Sequence, residues 1–230
     1  MAVIPRCHLL LLLLGLTTVN APMNNLQASE NSMPQQTTLH EAAARNDATA
    51  IGQLLQQGAD IEGRDSSGRT ALLIATHHDA IDAARALIAT GADVNAMDDI
   101  HDSPYLYAGA EGRLEILRMT LDHGADLASV NRYGGTALIP AAHHGHVETV
   151  RLLLTTNIDI DHVNRLGWTA LLEAIILGDG SNTYVEIVQL LVEAGADINL
   201  PDADNVSPLS HALARKQAKI AELLRQAGAR

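Results

Sequence analysis

Histidines are the side chains of this 230-residue chain whose type and spacing could do chemistry. Two adjacent pairs, His77–His78 and His143–His144, could bind a metal ion or transfer protons, and His143 with His146 forms an H-x-x-H. The pairs are 66 residues apart, which is twice a 33-residue spacing that recurs along the chain. Because packed helices lie about 8–10 Å apart, two repeats separate the pairs by about 16–20 Å. The sequence therefore predicts no metal ion shared by the two pairs.

Carboxylates also recur in phase along the chain. The recurring aspartates are Asp60, Asp93, Asp126, Asp159 and Asp197. Their regular spacing favours a turn role, in which each carboxylate bonds nearby backbone N–H groups, over an acid–base role. The sequence contains no G-x-S-x-G, no glycine-rich phosphate loop and no H-E-x-x-H. We therefore predict that the protein is not an enzyme and uses no cofactor or metal.

An internal repeat with two sequence anchors carries these side chains. The first anchor is a turn, GAD in most copies, that begins at Gly58, Gly91, Gly124, Asn157, Gly195 and Gly228. The second anchor reads TTL, TAL, SPY or SPL and begins at Thr37, Thr70, Ser103, Thr136, Thr169 and Ser207. Copies of each anchor are 33 residues apart, except for one spacing of 38 in the fifth copy. The chain therefore has six copies of one unit.

Residues 134–166 show the structure that one copy predicts. Thr136 precedes a short apolar run and is typical of a helix N-cap, whose hydroxyl would accept a hydrogen bond from the first turn. Beyond Gly145, apolar residues at helical spacing between Val147 and Leu154 predict a second helix with one buried face. Asn157 then stands at the turn position, where we expect a left-handed C-cap.

A 33-residue period with this helix start and two short helices resembles the ankyrin repeat. The resemblance covers about residues 37–230 and implies an all-α solenoid of six helix-turn-helix units joined by β-hairpin-like loops. The expected units are 37–67, 68–100, 101–133, 134–166, 167–205 and 206–230. Polar first and last units are expected, because the end units of a stack meet water.

Three places depart from the repeat. The third unit has His101 where a turn glycine is usual and Tyr105 where Leu is usual, so its loop and packing are the hardest to predict. Pro140 lies in the first helix of the fourth unit, where it removes at most one helical hydrogen bond. Residues 178–182 add a loop between the two helices of the fifth unit, with or without a function of its own.

The first residues have the features of a secretory signal peptide. Arg6 gives a positive start, an apolar run follows at Leu9–Leu16, and small residues come next. We expect residues 1–28 to be the signal, cleaved after Ala21 or Ala28, and residues 29–36 to be a flexible lead-in. An uncleaved anchor is the alternative, although a membrane span needs about 20 apolar residues. The prediction is a periplasmic or secreted protein without membrane insertion after cleavage.

The composition limits the class of partner. The formal net charge is −12, so the chain lacks the Lys/Arg surface that nucleic-acid binding needs. The one cysteine, Cys7, lies inside the predicted signal, so the mature chain needs no disulfide. We expect a monomer that binds a protein partner.

In ankyrin-repeat proteins, the hairpin tips and the exposed ends of the first helices line a concave face that binds a partner. By position, the resemblance implies a protein-binding face of Arg69, His77, His78, Arg132, Tyr133, His143, His144, Arg165, Leu166 and Trp168. The same face extends over Asp102, Glu111 and Leu177. Its centre is rich in residue types that are common in binding hot spots. Alternatively, Trp168 merely covers a neighbouring hairpin.

The function predicted from the sequence is a non-enzymatic protein–protein interaction module in the cell envelope. An alternative is a periplasmic stress-protective or effector-neutralising protein, because bacterial proteins that resemble this one include both kinds. A third is a metal or small-molecule binder.

Overall fold

The computed structural model describes residues 37–230, and the predicted signal and lead-in lie outside them. Within residues 37–230 the chain forms twelve helices and no β-strand. They are α1 Leu39–Ala44, α2 Ala48–Gln56, α3 Ala71–His77, α4 Ile81–Ala89, α5 Pro104–Ala110, α6 Leu114–Asp122, α7 Leu138–His143, α8 Val147–Leu153, α9 Ala170–Ile176, α10 Asn182–Glu193, α11 Pro208–Ala214 and α12 Ala218–Gln226. In this part of the chain no helix has the length and apolar character to cross a membrane.

The helices form two parallel rows. Odd-numbered helices, the first of each unit, pack against one another in chain order, and even-numbered helices do the same. One alanine position lies at the centre of the first row and is fully buried in all six units. Its members are Ala42, Ala75, Ala108, Ala141, Ala174 and Ala212. Because a methyl group is the whole side chain, successive first helices approach closely, and each unit is stabilised by its neighbours.

Hydroxyl caps start five of the six first helices. The side chains of the capping residues accept a hydrogen bond from the backbone N–H three residues on. The capping residues are Thr38, Thr70, Ser103, Thr169 and Ser207. In the first unit, Glu41 completes a capping box with Thr38. The sequence anchor therefore marks where the first helices begin.

The predicted cap at Thr136 is wrong, and Pro140 is the reason. In the second unit the equivalent residue, Ile74, donates its N–H to the carbonyl of Thr70 at 3.0 Å. Pro140 has no N–H, so the carbonyl of Thr136 accepts from Ile139 at 3.2 Å instead. The hydroxyl of Thr136 is left buried without a hydrogen-bond partner in the described part of the chain. The expected irregularity at Pro140 thus affects the start of α7.

The predicted left-handed cap at Asn157 is also wrong. The equivalent glycines of the other units have φ between 82° and 98°, whereas Asn157 is not among the positive-φ residues. The hydroxyl of Thr156 donates to the carbonyl of Leu153 at 2.6 Å and accepts from the N–H of Ile158 at 3.3 Å. This local bonding ends α8 after 7 residues, where α6 has 9.

The recurring aspartates have the predicted turn role, which is confirmed. In each turn the carboxylate accepts from the backbone N–H two residues on, at 2.8–3.2 Å. In four of the five turns the side chain at that second residue accepts a hydrogen bond from a backbone N–H of the next turn, and Ala128 is the exception. For example, Asn95 accepts from the N–H of Asp126 at 2.8 Å. The turns therefore link successive units.

The insertion of five residues in the fifth unit lengthens its second helix, which contacts the unit before it. This helix, α10, has 12 residues, against 9 in α6, and places Tyr184 against its neighbour. The hydroxyl of Tyr184 donates to the carbonyl of His143 at 2.7 Å. On the other side, Gln217 of the last unit donates to the carbonyls of Ile175 and Gly178 at 3.0 and 3.1 Å.

Candidate functional site

Five loops of five residues each, here called the tips, connect successive units, and each tip is counted with the unit whose first helix follows it. They are residues 65–69, 98–102, 131–135, 164–168 and 202–206. Each tip is closed by a backbone bond from its first to its fifth residue, such as Asn131 N–H to the carbonyl of Gly135 at 3.0 Å. The first side chain, Asp or Asn, accepts from the third and fifth N–H groups; for Asn131 these distances are 2.9 and 3.1 Å. Together these bonds produce the hairpin-like loop.

His101 does not alter its tip. It has φ 63°, close to the 75° of Gly134 at the same position. Asp98 makes the same two bonds, to the N–H groups of Ile100 and Asp102, at 3.0 and 2.9 Å. The departure from a glycine therefore puts a non-glycine residue in the left-handed region without changing the turn.

The third residue of three successive tips is an exposed apolar side chain. These residues, here called the tip row, are Ile100, Tyr133 and Leu166, with exposures of 51%, 57% and 55%. The same position holds exposed Ser67 in the second unit and exposed Asp204 in the last. The apolar row is thus confined to the middle of the array.

A cavity of about 410 Å³ lies beside the tip row and is here called the central cavity. It is bounded by tips and first helices of the third to fifth units. Its lining residues are Asp102, Tyr107, Ala110, Glu111, Asn131, Arg132, Tyr133, Gly135, Ile139, Pro140, His143, His144, Asn164, Leu166, Glu173 and Leu177. Aromatic and aliphatic walls with a few polar groups are typical of a binding pocket.

Arg132 is paired at the edge of the cavity. Its Nη1 lies 3.2 Å from Oδ2 of Asp102, and its guanidinium carbon lies 4.9 Å from the centre of the Tyr133 ring. Burial raises the pKa of Asp102, and the charge of Arg132 acts against that rise. The pair leaves little net charge at this edge.

Glu173 is a buried acid in the lining of the cavity, with a side chain that is 8% exposed. Its Oε1 accepts from Nδ2 of Asn164 at 2.8 Å, and its Oε2 lies 3.6 Å from Nδ1 of His143. Burial raises the pKa of Glu173 to about 7, although the hydrogen bond from Asn164 opposes the rise. The side chain is therefore close to half ionised at neutral pH.

His143, His144 and His146, at the end of α7 and in the turn that follows it, do not form a metal centre. The ring of His144 lies 4.7 Å from that of His143 and 5.9 Å from that of His146, between centroids. Nδ1 of His144 donates to the carbonyl of Ala110 at 2.7 Å. His144 therefore makes a structural bond to the end of α5. Within residues 37–230 no group of three or more His, Cys, Asp or Glu side chains has metal-binding geometry.

The predicted residues of the second unit lie apart from the central cavity. Arg69 and His77 line a smaller cavity of about 330 Å³, and His77 stacks on Tyr107 with 3.9 Å between ring centroids. Burial lowers the pKa of His77. His78 is exposed and lines neither cavity. The ten predicted residues are therefore divided between two cavities and the surface around them.

Arg165 and Trp168 differ from Tyr133 in their surroundings. Nη1 of Arg165 donates to the carbonyl of Arg132 at 2.7 Å, and its N–H donates to the carbonyl of Tyr133 at 3.0 Å. Arg165 therefore braces one tip against the next. Trp168 is half-buried and does not line the central cavity. Arg132 and Tyr133 of the predicted face thus line that cavity, and Trp168 does not.

Glu173, Asn164 and Tyr107 are among the lining residues that the sequence reasoning did not assign to the binding face. A signal for Glu173 was present, because a charged residue inside the apolar run of α9 calls for a partner. Asn164 was recognisable only as a turn residue. Tyr107 follows Tyr105 in α5, and only the packing separates the buried ring of Tyr105 from the half-buried ring of Tyr107.

Comparisons with known proteins agree with this architecture. The family model described as Ankyrin repeats (3 copies) matches residues 6–98 and 105–202. No curated protein sequence matches the chain.

Solved structures similar to the chain include three ankyrin-repeat proteins. An ankyrin repeat domain from Acinetobacter baumannii AYE is 59% identical, with a TM-score of 0.81, covering 84% of this chain and 98% of that one. The ankyrin repeat protein EF0377 is 44% identical, with a TM-score of 0.80 and the same coverage of 84% and 98%. The ankyrin repeat domain of Bcl-3, a member of the IkappaB protein family, is 28% identical, with a TM-score of 0.76 and coverage of 85% and 88%. From the family match and these identities, the chain belongs to the ankyrin-repeat family.

Proposed function

We propose that this chain is a non-enzymatic interaction module that binds a protein partner through the tips and first helices of its third to fifth units. The observation that carries the proposal is the tip row beside the central cavity. Ile100, Tyr133 and Leu166 are each more than half exposed in three successive units. Water-exposed apolar side chains in a contiguous set favour association with another surface.

The size of the set favours a protein over a small ligand. Neighbouring units are about 10 Å apart, so three tips extend over about 20 Å. The central cavity adds one concave pocket to this row, and Tyr133 and Leu166 belong to both. A partner that buries the row and fills the cavity gains both apolar contact and a fixed register.

The binding test is to use the immobilised protein to capture partners from an envelope extract and compare it with variants. Tyr133→Ala/Leu166→Ala removes the centre of the tip row, and we expect it to capture at least tenfold less partner than the wild type. Leu213→Ala is the matched control, because Leu213 is 48% exposed and does not line the central cavity. Equal capture by the double variant and the wild type would contradict the proposal.

We also propose that the module works in the cell envelope. Support comes from Arg6, the apolar run Leu9–Leu16 and the small residues that follow. The expected observation is a periplasmic or secreted form that has lost about 21 to 28 residues, measured by intact mass. An intact Met1 form in the cytoplasm would contradict export. The identity of the captured partner would then separate a stress-protective role from an effector-neutralising one.

A further inference from the structure

We propose that the central cavity binds a cationic side chain, a lysine or an arginine presented by the partner protein, with the carboxylate of Glu173 as its counter-ion. The identity of the ligand as part of a protein rests on the proposed function. The binding of a cationic group in this cavity is a property of the chain itself.

Glu173 has one carboxylate oxygen, Oε2, that accepts no hydrogen bond from the described part of the chain. Its side chain is 8% exposed and lines the cavity. Asn164 occupies Oε1 at 2.8 Å, whereas no donor in residues 37–230 lies within hydrogen-bond distance of Oε2. The carboxylate of a largely buried side chain is poorly solvated, and a cation that enters the cavity stabilises its charge.

His143 does not supply this cation at neutral pH. Its Nδ1 is 3.6 Å from Oε2 of Glu173, which is beyond hydrogen-bond distance. Burial, and next the neighbouring His144, lower the pKa of His143, so its ring is mainly neutral near pH 7. The place of a full positive charge beside Glu173 is therefore open to a ligand.

The rest of the cavity lining has more carboxylates than cations. Arg132 is paired with Asp102 at 3.2 Å, and His144 uses Nδ1 to bond a backbone carbonyl. Glu111 and Glu173 are then the carboxylates left without a pairing arginine in the lining. An excess of carboxylates favours a cation over an anion.

The walls of the cavity are partly aromatic and partly aliphatic. Tyr107 and Tyr133 both line the cavity, and aromatic faces attract guanidinium and ammonium groups. Leu166 and Leu177 provide apolar surface for the methylene stem of a long basic side chain. The cavity thus combines the two surfaces that a lysine or arginine side chain has.

Proton release gives the proposal a specific signature. Because burial holds the pKa of Glu173 at about 7, the acid is mostly protonated at pH 6 and mostly ionised at pH 8. Only the ionised form is a counter-ion, so the affinity for a cation rises about tenfold from pH 6 to pH 8. Loss of the His143 charge as pH rises acts in the same direction.

The experiment titrates the folded protein with Nα-acetyl-arginine N-methylamide or the lysine equivalent, monitored by two-dimensional NMR of the backbone amides. The norleucine and glutamate equivalents provide neutral and anionic probes. We expect the two cationic probes to shift amides around Asn164 and Glu173, with about tenfold tighter binding at pH 8 than at pH 6. The probe that binds more tightly, arginine or lysine, identifies which basic side chain of the partner protein the cavity accepts. Equal binding of the norleucine probe, or preference for the glutamate probe, would overturn the proposal.

Two variants identify the counter-ion. Glu173→Gln keeps the size and the amide contact to Asn164, and we expect it to lose cation binding and its pH dependence. Glu111→Gln, the matched carboxylate of the same cavity, should keep the pH dependence. The opposite pattern would overturn the role of Glu173.

A measurement on the wild type covers the case in which Glu173→Gln does not fold. The side-chain carboxyl ¹³C of Glu173 is titrated with and without the arginine probe, and bound cation should lower its pKa. An unchanged titration would overturn the proposal. All probes are amino-acid derivatives, so these results stand independently of whether the tip row binds a partner protein.

Discussion

Nδ2 of Asn164 lies 2.8 Å from Oε1 of Glu173, and the last unit has a second pair at the same two positions. There, Oδ2 of Asp202 lies 2.7 Å from Nε2 of His211. Each pair joins the first residue of a tip to the first helix of the same unit, across nine residues of sequence. The acid is on the tip in the last unit and on the helix in the fifth. The fifth unit, one of the three that line the central cavity, therefore has a buried carboxylate on its first helix where the last unit has a histidine.

The first prediction concerns the cost of that buried acid. Burial raises the pKa of Glu173 from 4.5 to about 7, so the folded protein binds more protons than the unfolded chain between these pH values. Stability therefore falls as the pH rises through this window, and the cost is fully present above about pH 7. Glu173→Gln should raise the free energy of unfolding at pH 8 by roughly 3 kcal/mol. The gain should be small at pH 4.5. Urea unfolding at both pH values measures it, and an equal effect at both would contradict the prediction.

The second prediction concerns the first residue of a tip. Asn131 accepts from the N–H groups of Tyr133 and Gly135, and Asp65 makes the equivalent bonds in its own tip at 2.9 Å each. Asn131→Asp should therefore be nearly neutral. Asn131→Ala should destabilise the protein by about 1–2 kcal/mol, because two backbone donors lose their acceptor. Urea unfolding of the two variants compares them directly, and equal stability of both would show that the side chain does not hold the tip.

The third prediction concerns the left-handed residue of a tip. His101 has φ 63°, which costs a non-glycine residue about 1 kcal/mol. His101→Gly should raise stability by about 0.5 kcal/mol or more, after the entropy that glycine adds to the unfolded chain. Gly134→Ala is the opposite change, since its Cβ would lie 2.9 Å from Cγ of Arg165 at φ 75°. It should lower the melting temperature. A lower melting temperature for His101→Gly would contradict the prediction.

The regular parts of the fold were predictable because local chemistry decides them. Thr70 and Ser103 cap helices through their own hydroxyls, and Asp93 closes its turn on its own backbone. Each of these bonds lies within a few residues, so the sequence pattern is enough. The period then places equivalent residues in register, which predicts the spacing of the tips.

The failures have a different physical origin. Pro140 removes a donor that Thr136 needs for the usual start of a helix, so a residue four positions away overrode a good cap. Thr156 supplied a local bond that replaced the left-handed turn at Asn157. The roles of Glu173 and Trp168 depend on packing between units, and the sequence alone gave no distance between them and the cavity.

The fourth prediction concerns the last unit. Gln217 donates to the carbonyls of Ile175 and Gly178, and α11 and α12 cover α9 and α10 of the fifth unit. Deletion of residues 207–230 should expose the apolar faces of α9 and α10 and cause aggregation or fraying. Light scattering and thermal unfolding measure both effects. An unchanged monomer with an unchanged melting curve would show that the unit is dispensable.

The last prediction separates the tip row from the histidines as the source of partner binding. Tyr133 is 57% exposed beside the central cavity, so Tyr133→Ala should weaken binding of the captured partner by about 2 kcal/mol, more than tenfold in affinity, and leave the fold intact. Trp168→Ala tests how far the interface extends. A loss of affinity equal to that of Tyr133→Ala would show that the partner also contacts the half-buried ring of Trp168, and a small loss would show that the partner contacts only the residues around the cavity. His143→Ala/His144→Ala and the wild type are compared with and without a chelator, which should change neither affinity if no metal takes part. If the chelator abolishes binding while Tyr133→Ala binds normally, the histidines carry the interaction and the tip row does not.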